Sequence, residues 1–274
     1  MERGLTKTSM GYIHYRATGK GEPIILLHPL PRSSVMFIEL MDALEKELRV
    51  IAPDYPSYGM SDHVSGRPTI ADYATAVIEV MDALGVAEAD IYGDTVGTYV
   101  AVELANSHPK RVKAIILANL PYYPTKEYMK ARHAPFKSQY RVDSTGFPQT
   151  RTMGEVLEKD PGHTPMNPTQ SWLDRDNVSL IETGRDMWQA LDAITVYDFH
   201  GNLNRLQVPT LLMWGENFAY TQHKEEAKAR VKNSQEVVIK EGRFLLPVDH
   251  TDEVAQAILR FLKKHRNPKE RSGR

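Results

Sequence analysis

Short apolar runs alternate along this chain with longer stretches whose apolar positions recur every three or four residues. That alternation builds a mostly parallel sheet covered by helices. Runs at 12–15, 24–28, 49–52, 90–92, 112–118, 210–214 and 236–239 read as strands, several of them unbroken Ile, Leu and Val, as strands buried on both faces require. Helical spacing covers 35–47, 70–84, 98–108, 222–232 and 252–265. Thr69, three residues before Asp72, predicts a capped start for the second of these. From about 121 to 206 the alternation stops: Pro, Met and charge increase, and Tyr122, Tyr123, Tyr128, His133, Phe136, Tyr140, Phe147, Trp172 and Trp188 appear without a strand pattern. This segment, 121–206, reads as a helical cap inserted into a core formed by 1–120 and 207–266. It is expected over the carboxyl ends of the strands, where open α/β sheets take their ligands. The basic, polar end at 267–274 is expected to fray and is given no function.

Composition narrows the picture mainly by exclusion. The 274 residues fit one α/β core with one insertion, and a formal net charge of -1 gives no field to draw in nucleic acid or an anionic membrane. A small molecule is the expected partner. The absence of cysteine removes disulfides, thiolate chemistry and cysteine-ligated zinc. No stretch is apolar enough to span a bilayer and the first residues lack a signal-like apolar run, so a cytoplasmic protein is expected. No phosphate loop, dinucleotide fingerprint or metal-ligand spacing is visible, and no cofactor or metal is implied.

Four stretches carry a resemblance. Ile24-Ile25-Leu26-Leu27-His28-Pro29-Leu30-Pro31, then Ala52-Pro53-Asp54-Tyr55-Pro56-Ser57-Tyr58-Gly59-Met60-Ser61-Asp62, then Gly93-Asp94-Thr95-Val96-Gly97, then Val208-Pro209-Thr210-Leu211-Leu212-Met213-Trp214-Gly215-Glu216-Asn217 resemble the α/β-hydrolase superfamily in order and spacing. The resemblance covers nearly everything outside the cap. It implies an α/β fold with a mostly parallel eight-stranded sheet, flanking helices, an inserted helical cap and a sharp strand-to-helix turn presenting a nucleophile.

At that turn the two glycines are kept, but Thr95 stands where the family carries serine. Gly93 and Gly97 flank residue 95 and so fix the register; a dehalogenase-like reading with Asp94 as nucleophile would put Tyr92 and Val96 where glycines are needed. Asp94 is instead expected beside the helix N-terminus, where negative charge is favoured. At the family's histidine position stands Arg243, which cannot accept a proton near neutrality. The acid positions hold Phe218 or, after the preceding strand, Asn119. The triad is thus degenerate. His250 is expected too far along to serve as base, whereas His133 and His163 lie in the cap and could descend onto the site. The implied oxyanion-hole donors are the amides of Leu30 and Val96, and His28 is expected to shape that loop. Asp94, Asn119, Trp172, Trp188, Phe218 and His28 are candidates for substrate contact, although cap aromatics more commonly pack than bind. Arg32 is expected to be solvated.

Three readings stay open. The first is an enzyme acting on a small anionic or carbonyl-containing molecule through the oxyanion hole and Arg243, of lyase, decarboxylase or rearrangement type, with Thr95 and Arg243 catalytic. The second is a hydrolase of a small ester or related bond, with Thr95 as nucleophile and a base from elsewhere. The third is a ligand-binding or sensor protein without catalysis.

Overall fold

A computed structural model describes residues 1–160 and 162–266; the expected frayed end at 267–274 lies outside the described residues. Among the described residues eight strands form one sheet in the order β1-β2-β4-β3-β5-β6-β7-β8. They are β1 (Glu2–Thr8), β2 (Gly11–Thr18), β3 (Glu22–Leu27), β4 (Leu48–Pro53), β5 (Ala89–Asp94), β6 (Val112–Ala118), β7 (Thr210–Gly215) and β8 (Ser234–Ile239). β1 pairs antiparallel with β2 and β2 antiparallel with β4, and every later pairing is parallel. Seven strands fall where the apolar runs predict them. β1 does not, because it is an edge strand of Glu, Arg, Thr and Lys with little buried side chain to leave a pattern.

Helices cover both faces. On one, α2 (Ile70–Ala83) and α3 (Gly97–Ser107) bury Tyr73, Val77, Tyr99 and Val100; on the other, α1 (Ile38–Leu44) and α11 (Thr251–Arg266) bury Leu40, Met41, Ile258 and Phe261. Thr69 and Asp72 form the expected reciprocal cap at the start of α2. Between β6 and β7 the chain runs through α4 (Lys126–Ser138), α5 (Met153–Lys159), α6 (Gln170–Thr183), α7 (Gln189–Val196) and α8 (Phe199–Arg205). Leu173, Leu191 and Phe199 from this stretch join the cluster formed by α2 and α3. After β7 come α9 (Lys224–Arg230) and α10 (Leu246–Asp249). No helix among the described residues is long and apolar enough to cross a membrane.

Candidate active site

β5 reverses into α3 through Thr95, whose φ of 46° lies in the left-handed region that a β-branched residue rarely enters. The turn is held by Thr95 N–H donating to Ala118 O (3.0 Å) and by Thr98 N–H and Oγ1 donating to Thr95 O (2.9 and 2.5 Å). A Cβ at Gly93 would run into the backbone of Gly97, and one at Gly97 into the carbonyl of Leu27 on β3. Both glycines are therefore sterically required, and the residue at the apex is Thr95, not Asp94.

Thr95 opens into a cavity of about 260 Å³. Its floor is Thr95, Val96 and Leu30. Phe218, Phe244, Phe136, Leu191 and Pro121 make it largely apolar, and Arg132, His133, His163, Gln139, Tyr123 and Tyr220 supply polar groups. Neither the Leu30 nor the Val96 amide has a protein acceptor among the described residues, and the Thr95 hydroxyl has no hydrogen bond to them. None of the described residues lining the cavity is acidic. Arg132 lies 5.5 Å above the ring of Tyr220, whose hydroxyl donates to Tyr123 (3.3 Å). His133 Nε2 and Gln139 Oε1 are buried without a hydrogen-bond partner among the described residues. Burial, reinforced by Lys137, lowers the His133 pKa to about 4, so this imidazole is neutral at pH 7.

Of the residues singled out from sequence, Thr95, Leu30, Val96 and Phe218 meet in this cavity, and His133 and His163 join them from the stretch between β6 and β7. His28, Asp94, Asn119, Trp172, Trp188 and Arg243 do not line it. His28 is wholly buried, with Nδ1 on Pro29 O (3.0 Å) and Nε2 accepting from Tyr55 N–H (3.0 Å), which fixes it as a neutral strut of the loop. Asp94 is also wholly buried and points to Tyr92, whose hydroxyl donates to it at 3.2 Å. The expected stabilised charge is not found there: burial outweighs the Tyr92 bond and Arg32, and raises the Asp94 pKa to about 8. Asn119, at φ 47°, spends its side chain on backbone: Nδ2 donates to Arg243 O (2.8 Å) and Phe244 O (3.2 Å), and Oδ1 accepts from Gly215 N–H (2.9 Å). Trp172 walls a small cleft beside Arg32 and Asp176, and Trp188 packs on Phe136 and Tyr140. Arg243 sits beside the cavity while its neighbour Phe244 enters it; its guanidinium donates to Thr164 O (3.4 Å).

Arg32 corrects the sequence reading. Instead of being solvated it is buried, its Nε donating to Asp176 on α6 (2.7 Å) and its Nη2 to His163 O (3.0 Å). Asp176 also accepts from Arg151, and Arg151 donates to Asp160 (2.8 Å). Asp160 in turn holds His163 Nδ1 at 2.6 Å. Burial alone would raise the Asp160 pKa, but the His163 hydrogen bond and the nearby Arg32 and Arg151 charges bring it below the ordinary carboxylate range. Sequence reasoning missed Asp160, Arg151, Asp176 and Arg132. Only the i, i+3 spacing of Asp160 and His163 offered a local signal.

A model of the alpha/beta hydrolase fold matches residues 22–251. Haloalkane dehalogenase 2 of Mycobacterium tuberculosis is 32% identical over 118 residues, 43% of this chain and 41% of the dehalogenase, so the alignment spans less than half of that relative. The (E)-2-((N-methylformamido)methylene)succinate hydrolase of Acinetobacter baylyi is 21% identical, over 91% of this chain and 93% of its own length. Among solved structures, a hydrolase from Pseudomonas aeruginosa superposes with a TM-score of 0.77 at 23% identity, covering 95% of this chain and 98% of that one. The enol-lactonase from Burkholderia xenovorans does so with a TM-score of 0.73 at 19% identity, covering 95% and 100%.

Proposed function

Because the chain belongs to the α/β-hydrolase fold family, we propose that it is an enzyme that hydrolyses a small carbonyl compound bearing a negative charge, at a site without a Ser-His-Asp triad. In this reading the carbonyl oxygen is received by the amides of Leu30 and Val96 and by the Thr95 hydroxyl, donors already in place for the charge that develops on that oxygen. The single observation carrying the proposal is the grouping of these three residues in one mostly apolar cavity with no acidic side chain among the described residues that line it. Arg132, not Arg243, is the counter-ion this reading assigns to the substrate's carboxylate, since Arg132 lines the cavity and Arg243 reaches toward Thr164. The Acinetobacter relative, whose name specifies hydrolysis of a succinate derivative, supports both the anionic substrate and the reaction class.

A second reading keeps the same donors for an enolate, giving a lyase or decarboxylase. It is favoured by the Thr95 hydroxyl, which has no proton acceptor hydrogen-bonded to it among the described residues. Paired aryl esters test the choice: p-nitrophenyl hemisuccinate is expected to turn over with at least tenfold higher kcat/KM than p-nitrophenyl butyrate, and Arg132→Gln to remove that preference. Decarboxylation of a β-keto acid without ester cleavage supports the lyase reading. Saturable quenching of tryptophan fluorescence by succinate, with no turnover of either class, identifies a binding protein.

A further inference from the structure

The loop after β8, where the family's base would stand, offers Arg243, yet an imidazole reaches the same neighbourhood from the cap. His163 lines the cavity with Thr95, and its ring lies edge-on to Phe244 with centroids 4.4 Å apart. Phe244 is the residue next to Arg243. The imidazole therefore arrives beside the position from which the family's histidine is missing.

The segment carrying it is tied down from both sides. Arg32, two residues beyond Leu30, donates to the His163 carbonyl, and Arg243 donates to the Thr164 carbonyl. Thr164 Oγ1 donates back to Val156 O (3.1 Å) and Asp160 O (2.8 Å). His163 Nδ1 bonds to the Asp160 carboxylate, which assigns the Nδ1 proton and leaves Nε2 as the acceptor. Asp160, Arg151, Asp176 and Arg32 form a buried chain of two carboxylates and two guanidiniums, neutral as a set, running from the base to the loop of the Leu30 amide. A closed set of this kind tolerates burial, and the carboxylate beside the ring is placed to stabilise an imidazolium.

We propose that His163, oriented by Asp160, is the general base of this site. This rests on the cavity being the active site of a hydrolase, as argued above. Nε2 takes a proton from water as the water oxygen bonds to the substrate's carbonyl carbon, and the C=O electron pair moves onto the oxygen held by Leu30, Val96 and Thr95. That pair then re-forms C=O, the bond to the leaving oxygen breaks, and the imidazolium returns its proton to the departing alkoxide. Ester and water become acid and alcohol, and His163 ends as it began. Arg243 in this scheme is a positioning residue, holding the segment that supplies the base.

The test uses the full chain and p-nitrophenyl hemisuccinate. His163→Gln is expected to lower kcat by 10²- to 10⁴-fold, the usual contribution of a positioned base, and to remove the acid limb of the pH profile. Because Asp160, Arg151, Arg32, Arg243 and His133 also surround the site, Asp160→Asn is measured alongside, with an expected loss of tenfold or more at nearly unchanged KM. External imidazole is expected to restore rate to His163→Gly, which a purely structural role would not allow. Independently of turnover, phenylphosphonate titrated into the wild type is expected to move the His163 Nε2 NMR signal and to leave it unmoved in Thr95→Val. Turnover that depends on Thr95 yet survives His163→Gln overturns the base but not the proposed hydrolase. Covalent capture of an acyl group on Thr95 overturns direct attack by water. A wild type that cleaves neither ester, with a His163 signal that ignores phosphonate, overturns both.

Discussion

Replacing Asn119 with Asp decides whether this residue is a vacated acid position or a structural clamp. The side chain is fully buried and makes three hydrogen bonds, two of them as a donor to the carbonyls of Arg243 and Phe244. An ionised Asp keeps the bond from Gly215 N–H but has nothing to donate, and it turns an oxygen toward two carbonyl oxygens. Two lost bonds, at about 1–3 kcal/mol for each, give a loss of roughly 2–6 kcal/mol. At about 2–4 °C per kcal/mol for a chain of this size, Tm falls on the order of 10 °C. The loss must depend on pH. The carboxyl is disfavoured as an anion in the fold, so its folded pKa lies above its unfolded value of about 3.9. The added destabilisation is absent below that value, grows as pH rises toward the folded pKa, and then levels off. Urea unfolding of Asn119→Asp, Asn119→Ala and wild type between pH 4 and 8 measures it, with the Asn119→Ala deficit expected to show no such growth. An Asn119→Asp protein as stable as wild type at pH 8, or one that gains esterase activity, would refute the reasoning.

Asp94 is expected to make the wild type lose stability as pH rises from about 4 to about 8, because its folded pKa of about 8 exceeds the unfolded value; Asp94→Asn should flatten that slope in thermal melts. Arg151→Met leaves the Asp160 and Asp176 carboxylates buried without a shared cation and is expected to cost about 3–5 kcal/mol in urea unfolding; a change under 1 kcal/mol would remove the ion chain as a structural element. Thr95→Ser relieves the β-branched strain at φ 46° and should raise stability by about 0.5–1 kcal/mol, read as an increase in Tm. Arg243→Leu is expected to leave succinate affinity within twofold of wild type by calorimetry, while Arg132→Gln weakens it at least tenfold; the opposite ranking would return the counter-ion role to Arg243.

The core was legible because its signals are local. β3, β6 and β7 each contain an apolar run buried on both faces, and burial of that kind can be read from a few consecutive residues. The turn at residue 95 was legible for a steric reason: Gly93 is dictated by the backbone of the same turn and Gly97 by the carbonyl of Leu27 on the neighbouring strand β3, so neither position admits a side chain. β1 was not, since its pairing with β2 depends on backbone hydrogen bonds that any side chain permits. Arg32 was misread because a lone arginine in a loop carries no mark of the carboxylate it meets 144 positions later in the chain.

The sequence by itself determined seven of the eight strands and the glycine-flanked turn that carries Thr95. The tertiary structure alone decided which other side chains meet Thr95 in the cavity. His163 and Asp160 belong to a segment without periodicity, and their approach to the cavity follows from how the chain between β6 and β7 docks, through Arg32 and Asp176, onto the loop beside Leu30. Sequence patterns report which face of an element is buried; they carry no record of which charged groups from distant elements meet when those faces close, and the chemistry proposed for this site depends on that meeting.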